Sequence, residues 1–212
     1  VTLIQTTSGR ALDLIYPTRD MIDFDVDVPE QLAKAPRFGG AIPGDPYSVA
    51  QHCVEGCDAI MRAAGDRELA GVFLLHDAHE FAIGDITTPV AHALTLRIPE
   101  GRRWVSAKPA VDDLKMRLDA AIFAAAGVDW PLAADVKLAV KAWDLRMLAA
   151  ERRDLCGPMR AGEPDCYSSL EGVKPADTGR RIAAWHWRHA ALMWRNRFGH
   201  FFPGRLTHRK EA

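Results

Sequence analysis

The chain has 212 residues, with 27 Lys and Arg against 28 Asp and Glu, a formal net charge of −1 with histidines neutral. Its 48% apolar and 26% charged residues are ordinary for a globular domain and exclude disordered, collagen-like and coiled-coil classes. The near-zero charge excludes a protein that neutralises phosphates over its whole surface, and the length suits one domain, alone or with an appended element. The longest apolar runs, such as Ala70 to Leu75, fall far short of the roughly 20 residues a membrane helix needs. No basic segment followed by an apolar run opens the chain, so no signal peptide is expected. Val1 stands where a Met would, which leads us to expect residues before it. Four cysteines, Cys53, Cys57, Cys156 and Cys166, are too few for a disulfide scaffold and fit reduced thiols, so a cytoplasmic protein is expected. Their spacing is only a weak zinc signal.

In chain order, Thr2 to Pro17 reads as a β-hairpin turning at Ser8-Gly9. Thr18 to Val28 carries Asp20, Asp23, Asp25 and Asp27 and is expected to be exposed. Pro29-Glu30 opens a short helix that ends near Pro36. Arg37 to Tyr47, rich in Gly and Pro, is a loop. Ser48 can cap a helix with Val49, His52, Cys53, Gly56 and Ile60 at spacings of three and four. A buried helix is predicted from about Arg67 to Phe81, broken by Gly84, and Thr87-Thr88-Pro89 restarts a short one. Arg97 to Lys108 reads as a basic loop. Helices follow at Ala110–Ala126 and Pro131–Asp154, then an irregular stretch from Gly157 to Thr178 and a last helix over Gly179 to Phe198. The expected fold is all-α with a small N-terminal β-hairpin. It divides into a hairpin and acidic segment (1–28), a helical core (29–156), and an irregular connection with a basic, aromatic C-terminal helix packed on the core (157–212).

The sharpest chemical feature is Leu74-Leu75-His76-Asp77-Ala78-His79-Glu80. An apolar helix ending in four ionisable groups needs pairing or metal to offset their burial. His and Asp suit borderline divalent ions, but neighbours on a helix diverge by about 100°, so further ligands must come from elsewhere. His52 is the first candidate, although a lone His on an apolar face is more often a satisfied core residue. Asp144 lies mid-helix, where Asp has poor propensity and nothing to cap, so a distant partner is expected.

The ordered set His52, His76-Asp77 and Asp144 resembles the H…HD…D signature of HD-domain phosphohydrolases, in particular bacterial 5'-deoxynucleotidases and nucleotide phosphohydrolases of bacteria and phages. Arg37-Phe38-Gly39-Gly40, Tyr47 to His52, His76-Asp77-Ala78-x-Glu80 and Gly84-Asp85-Ile86-x-Thr88-Pro89 look like the same branch, over about residues 35 to 155. The resemblance implies an HD-type helical bundle holding one divalent metal ion (Mn, Co, Zn or similar) on His52, His76, Asp77 and Asp144. It implies that Glu80 and Asp85 are the catalytic acid/base groups and that Arg37 clamps phosphate. Read alone, Glu80 is also a plain helix-end Glu, Asp85 also a cap for the next helix, and Arg37 also a surface arginine. His79 departs from the small residue expected after the HDA triplet. It can reach phosphate or a second metal, or be exposed. Lys141 is a further phosphate-binding candidate or a solvated lysine, and Glu151 either supports the ligands or forms a simple salt bridge.

The implied activity is 5'-deoxynucleotidase action on deoxynucleoside monophosphates. The alternative is a deoxynucleoside triphosphate triphosphohydrolase, which the basic residues Arg97, Arg102, Arg103 and Lys108 slightly favour. A cyclic-nucleotide or dinucleotide phosphodiesterase keeps the fold, but His92, His186, His189, His200 and His208 follow no recognised spacing for it. From a different class, Arg180, Arg181, Arg188, Arg195, Arg197, Arg205, Arg209 and Lys210 interleave with Trp185, Trp187, Trp194, Phe198, Phe201 and Phe202, a pattern that can bind single-stranded nucleic acid. A packed helical stripe and a homo-oligomer interface explain it better. The expected partners are therefore a nucleotide and a second copy of the chain, without membrane or nucleic acid.

Overall fold

The computed structural model describes residues 2–98 and 103–206. Arg102, His208, Arg209 and Lys210, all singled out above, lie outside the described residues. The chain is mostly helical with two small hairpins. β1 (Leu3–Gln5) and β2 (Ala11–Asp13) pair antiparallel with Ile4 opposite Leu12. Gly9 takes the left-handed conformation their turn requires, and its N–H donates to Thr6 O.

The acidic segment is exposed as expected only over Thr18 to Asp20. Asp23 and Asp27 are buried because each satisfies backbone donors. Asp23 accepts from the N–H groups of Asp25 and Val26 as they enter α1 (Asp27–Lys34). Asp27 accepts from Ser8 N and Ser8 Oγ, at 2.6 and 2.9 Å, tying the hairpin turn to the helix. Leu12, Ile22 and Phe24 join the same core as the later helices.

Ser48 caps α2 (Val49–Ala64), its hydroxyl accepting from Gln51 N. Gly65 closes that helix in the left-handed region. Asp66 caps α3 (Arg67–Leu75). α2 and α3 pack closely because Gly56 has no side chain. A Cβ there would stand 2.1 Å from Phe73 Cε1.

The helix predicted over Arg67 to Phe81 stops at Leu75. Residues 76–79 form turns with three-residue hydrogen bonds, Ala78 N to Leu75 O and Glu80 N to Asp77 O, before α4 (Glu80–Ile83). The tighter winding places side chains three apart on one line. α5 (Thr88–Ala93) has Thr87 as its N-cap, so Asp85 does not cap it.

The basic stretch read as a loop is a second hairpin, β3 (Thr95–Ile98) with β4 (Arg103–Ser106), Arg97 opposite Trp104 and Ile98 opposite Arg103. The alternation of apolar and polar residues is short enough to pass for loop. α6 (Lys108–Ala126) and α7 (Ala134–Leu155) follow.

The last helix, α8, spans Trp187–Phe201 rather than Gly179 to Phe198. Residues 181–186 are not helical because other elements satisfy their backbone. Ile182 N donates to Asp154 Oδ2, Trp185 N donates to Gln51 Oε1, and Ala183 O accepts from Gln51 Nε2. α8 packs on α1, α2 and α3, with Trp194 and Phe198 fully buried and stacked on Phe24. Among the described residues, no helix is long and apolar enough to cross a membrane.

Candidate metal centre

Three helices and one turn bring the sequence candidates together. His52 sits on the first turn of α2, His76 and Asp77 follow the end of α3, and Asp144 lies in the middle of α7. His52 Nε2 is 3.6 Å from Asp144 Oδ1 and 3.9 Å from Asp77 Oδ2. His76 Nε2 is 3.2 Å from Asp77 Oδ2 and 4.0 Å from Asp144 Oδ1. Two ligands each about 2.1 Å from one ion stand about 3–3.5 Å apart, so this spacing suits a shared cation.

The hydrogen-bond pattern of the imidazoles carries the same message. His52 Nδ1 lies 2.5 Å from Glu151 Oε1, and His76 Nδ1 bonds to Phe73 O at 2.7 Å. Both Nε2 atoms are buried without a hydrogen-bond partner. With Nδ1 donating, a ring that gives up its Nε2 proton to a cation presents a lone pair there. Against the protein groups alone, burial would lower the His76 imidazole, but Asp77 outweighs it and raises the group well above its usual value. An anchored Nδ1 with a free Nε2 is the arrangement of a metal-ligating histidine. The residues therefore fit a divalent cation. His52, His76 and Asp144 form one group able to hold it, with Asp77 beside them.

Glu151 is fully buried. Two turns along α7 from Asp144, it holds His52 on one oxygen and accepts from Arg37 Nε at 3.2 Å on the other. This is support for the ligands, not a surface salt bridge. Arg37 Nη1 donates to Asp77 Oδ2 at 3.3 Å, and Nη2 is 4.0 Å from Asp144 Oδ1. Arg37 is buried, not on the surface. Its loop is pinned at the base, where Arg37 N donates to Tyr47 O and Val49 N to Ala35 O. Just beyond Arg37 the loop turns through Phe38 and Gly39, both left-handed, a strained conformation for Phe.

Electrostatics follow from these contacts. Burial alone would raise the Asp77 carboxyl, but His76, Arg37 and His52 hold it well below the usual range. Asp144 and Glu151 are likewise held low against their burial, Asp144 by His76 and His52, Glu151 by Arg37 and His52. Glu80 behaves oppositely. Burial, then the charges of Asp77 and Asp85, push it up to about 9. Burial also raises Asp85. Glu80 is not a solvated helix-end residue, since Oε2 is buried without a partner and Oε1 is 4.0 Å from Lys115 Nζ.

His79 is buried rather than exposed, with Nδ1 2.8 Å from Asp119 Oδ1. Lys141 is mostly exposed and donates to Asp144 Oδ2 at 2.8 Å. The groups able to hold a metal among the described residues include no cysteine. Cys53 and Cys57 are buried free thiols on α2.

Beside the centre lies a cavity of about 210 Å³, lined by His76, Asp144 and Asp119 and walled by Phe123, Trp130 and Leu132, with Lys137 and Lys141 at its side. The Phe123 and Trp130 rings stand 4.8 Å apart. Sequence reasoning missed Asp119 and this aromatic wall. Asp119 carried the same signal as Asp144, a mid-helix Asp among Leu118, Ala121 and Ile122 with nothing to cap. The wall carried none, because Phe123 and Trp130 belong to different segments.

Fold and site define a helical protein with a buried His and carboxylate centre suited to a divalent cation. No family model matches the chain. It is 36% identical over 169 residues to "Uncharacterized protein RCAP_rcc00048" of Rhodobacter capsulatus, covering 74% of this chain and 78% of that protein. The chain belongs to that protein's family.

Proposed function

We propose that this protein is an HD-type phosphohydrolase that hydrolyses the phosphate ester of deoxynucleoside 5'-monophosphates. The observation that carries the reading is the convergence of His52, His76, Asp77 and Asp144, with two buried imidazole Nε2 atoms left unpartnered. His52, His76, Asp77 and Asp144 would hold a divalent ion, which when bound polarises a phosphoryl oxygen and acidifies a water.

The chain's own groups account for the rest. Arg37, already beside Asp77 and Asp144, offsets charge on the phosphoryl oxygens. Glu80 and Asp85 are carboxyls that hold a proton more readily than exposed ones. Glu80, which holds its proton near neutral pH, gives it to the leaving 5'-oxygen as the P–O bond breaks, and Asp85 takes the proton of the attacking water. Glu151 fixes His52. The adjoining cavity supports a substrate with a flat apolar part. Trp130, packed on the buried Phe123, offers a face to a base, and Lys137 and Lys141 offer charge to phosphate.

The test is chromatographic product analysis with a panel of deoxy- and ribonucleoside mono- and triphosphates, in Mn²⁺ or Co²⁺, beside a His76→Ala/Asp77→Ala control. Nucleoside from monophosphates, lost by at least a thousandfold in the control, is the expected result. Nucleoside with tripolyphosphate from triphosphates would replace this reading with the triphosphohydrolase. No product above the control from either would overturn both.

A further inference from the structure

We propose that Asp77, His79 and Glu80 form a second divalent-cation site beside the first, with Asp77 shared between them. Ligand atoms of these three residues all lie within 4.8 Å of one another. The three-residue turn from Asp77 to Glu80, closed by Glu80 N to Asp77 O, stacks the two carboxylates on one line.

The second and independent observation is His79. It is only 5% exposed. Its Nδ1 is taken by Asp119 at 2.8 Å, and its Nε2 is buried with no hydrogen-bond partner. An imidazole nitrogen left so is costly unless something occupies it. A carboxylate on Nδ1 with Nε2 free repeats the arrangement of His52 and Glu151 in the first centre. Glu80 Oε2 is a further buried oxygen without a partner, its other oxygen being 4.0 Å from Lys115 Nζ.

Asp77 Oδ2 faces His76, Arg37 and His52, and Asp77 also belongs to the group with His79 and Glu80, so one carboxylate would serve both ions. One imidazole with two carboxylates takes Mn²⁺, Fe²⁺, Co²⁺ or Zn²⁺, not a large oxygen-only cation such as Ca²⁺. The inference rests on the metal reading of the first centre but not on its substrate. With the second ion bound, Glu80 is a ligand, and Asp85 is the carboxyl left to move a proton.

The experiment strips the full chain with chelator and dialyses it against Mn²⁺. It reads bound metal by elemental analysis and coupling by electron paramagnetic resonance, with circular dichroism as a check on folding. The wild type should hold two Mn²⁺ per chain with an exchange-coupled signal. His79→Ala should hold one, uncoupled. Asp119→Asn, which keeps the shape of its side chain, should weaken the second ion by about 10–100-fold and the first hardly at all. One Mn²⁺ in the wild type, or two in His79→Ala, overturns the second site while the first stands. Two uncoupled ions overturn the sharing of Asp77. No bound metal overturns both centres.

Discussion

His52 shows how one side chain changes meaning with its surroundings. On α2 it is an imidazole on an apolar face, and alone it is indistinguishable from a core histidine. Glu151, 99 residues later, fixes its tautomer by taking Nδ1 and leaves Nε2 toward Asp144 and Asp77. Outer partners of this kind typically contribute 10–100-fold to metal affinity. Glu151→Gln should therefore bind Mn²⁺ about 10–100-fold more weakly in a calorimetric titration, with the helical signal retained. Unchanged affinity would mean that Glu151 serves only to neutralise Arg37.

At the scale of elements, the site depends on how closely α2 approaches α3. Gly56 faces the ring of Phe73, and the Phe73 and His76 rings are 4.3 Å apart. A methyl group at 56 must displace the ring that packs on a proposed ligand. Overpacking of this kind costs about 1–3 kcal/mol or more. Gly56→Ala should lower the midpoint of urea unfolding accordingly, and adding Phe73→Leu should recover part of the loss. Equal losses in the single and double variants would place the strain elsewhere. The break after Leu75 matters for the same reason. A continuous helix would spread His76, Asp77, His79 and Glu80 over an arc of about 160°, whereas the three-residue turns align His79 with His76 and Glu80 with Asp77.

At the scale of the molecule, the C-terminal helix is part of the core. Trp194 and Phe198 lie against Phe24, and Arg195 and Arg197 reach Asp25 and Asp58 at 2.9 and 2.6 Å. The aromatic and basic interleaving that suggests stacked bases in the sequence is thus largely turned inward at these residues. The same packing encloses Glu55. Burial pushes its carboxyl up to about 7 although Gln51 and Tyr47 donate to it. Folded protein then keeps a proton between about pH 4.5 and 7 that the unfolded chain has released, so this contribution to stability falls as pH rises through that window. The loss is on the order of 3 kcal/mol. Glu55→Gln should flatten the decline in unfolding midpoint between pH 5 and pH 8. An equally steep decline in the variant would assign it to other groups.

Much of this was legible along the chain. Helix α2 announces itself through its Ser48 cap and its spacing, and α6 and α7 through their helical pattern, because those signals are local. His76-Asp77 and Asp144 stand out because ionisable groups inside apolar helices need a partner, a requirement that the sequence states without naming the partner. Tertiary structure supplied what depends on distance: Glu151 on His52, Asp119 on His79, the Phe123 and Trp130 wall, and Arg37 turned into a ring of carboxylates. It also overrode local pattern wherever side chains satisfied backbone, as Asp154 and Gln51 do for residues 181–186, and buried Asp23 and Asp27 against donors that a list of charges does not reveal. Periodicity and capping are properties of neighbouring residues and survive in one dimension. A metal site is made by residues up to about a hundred positions apart, and only the packing of apolar helix faces decides which of them meet.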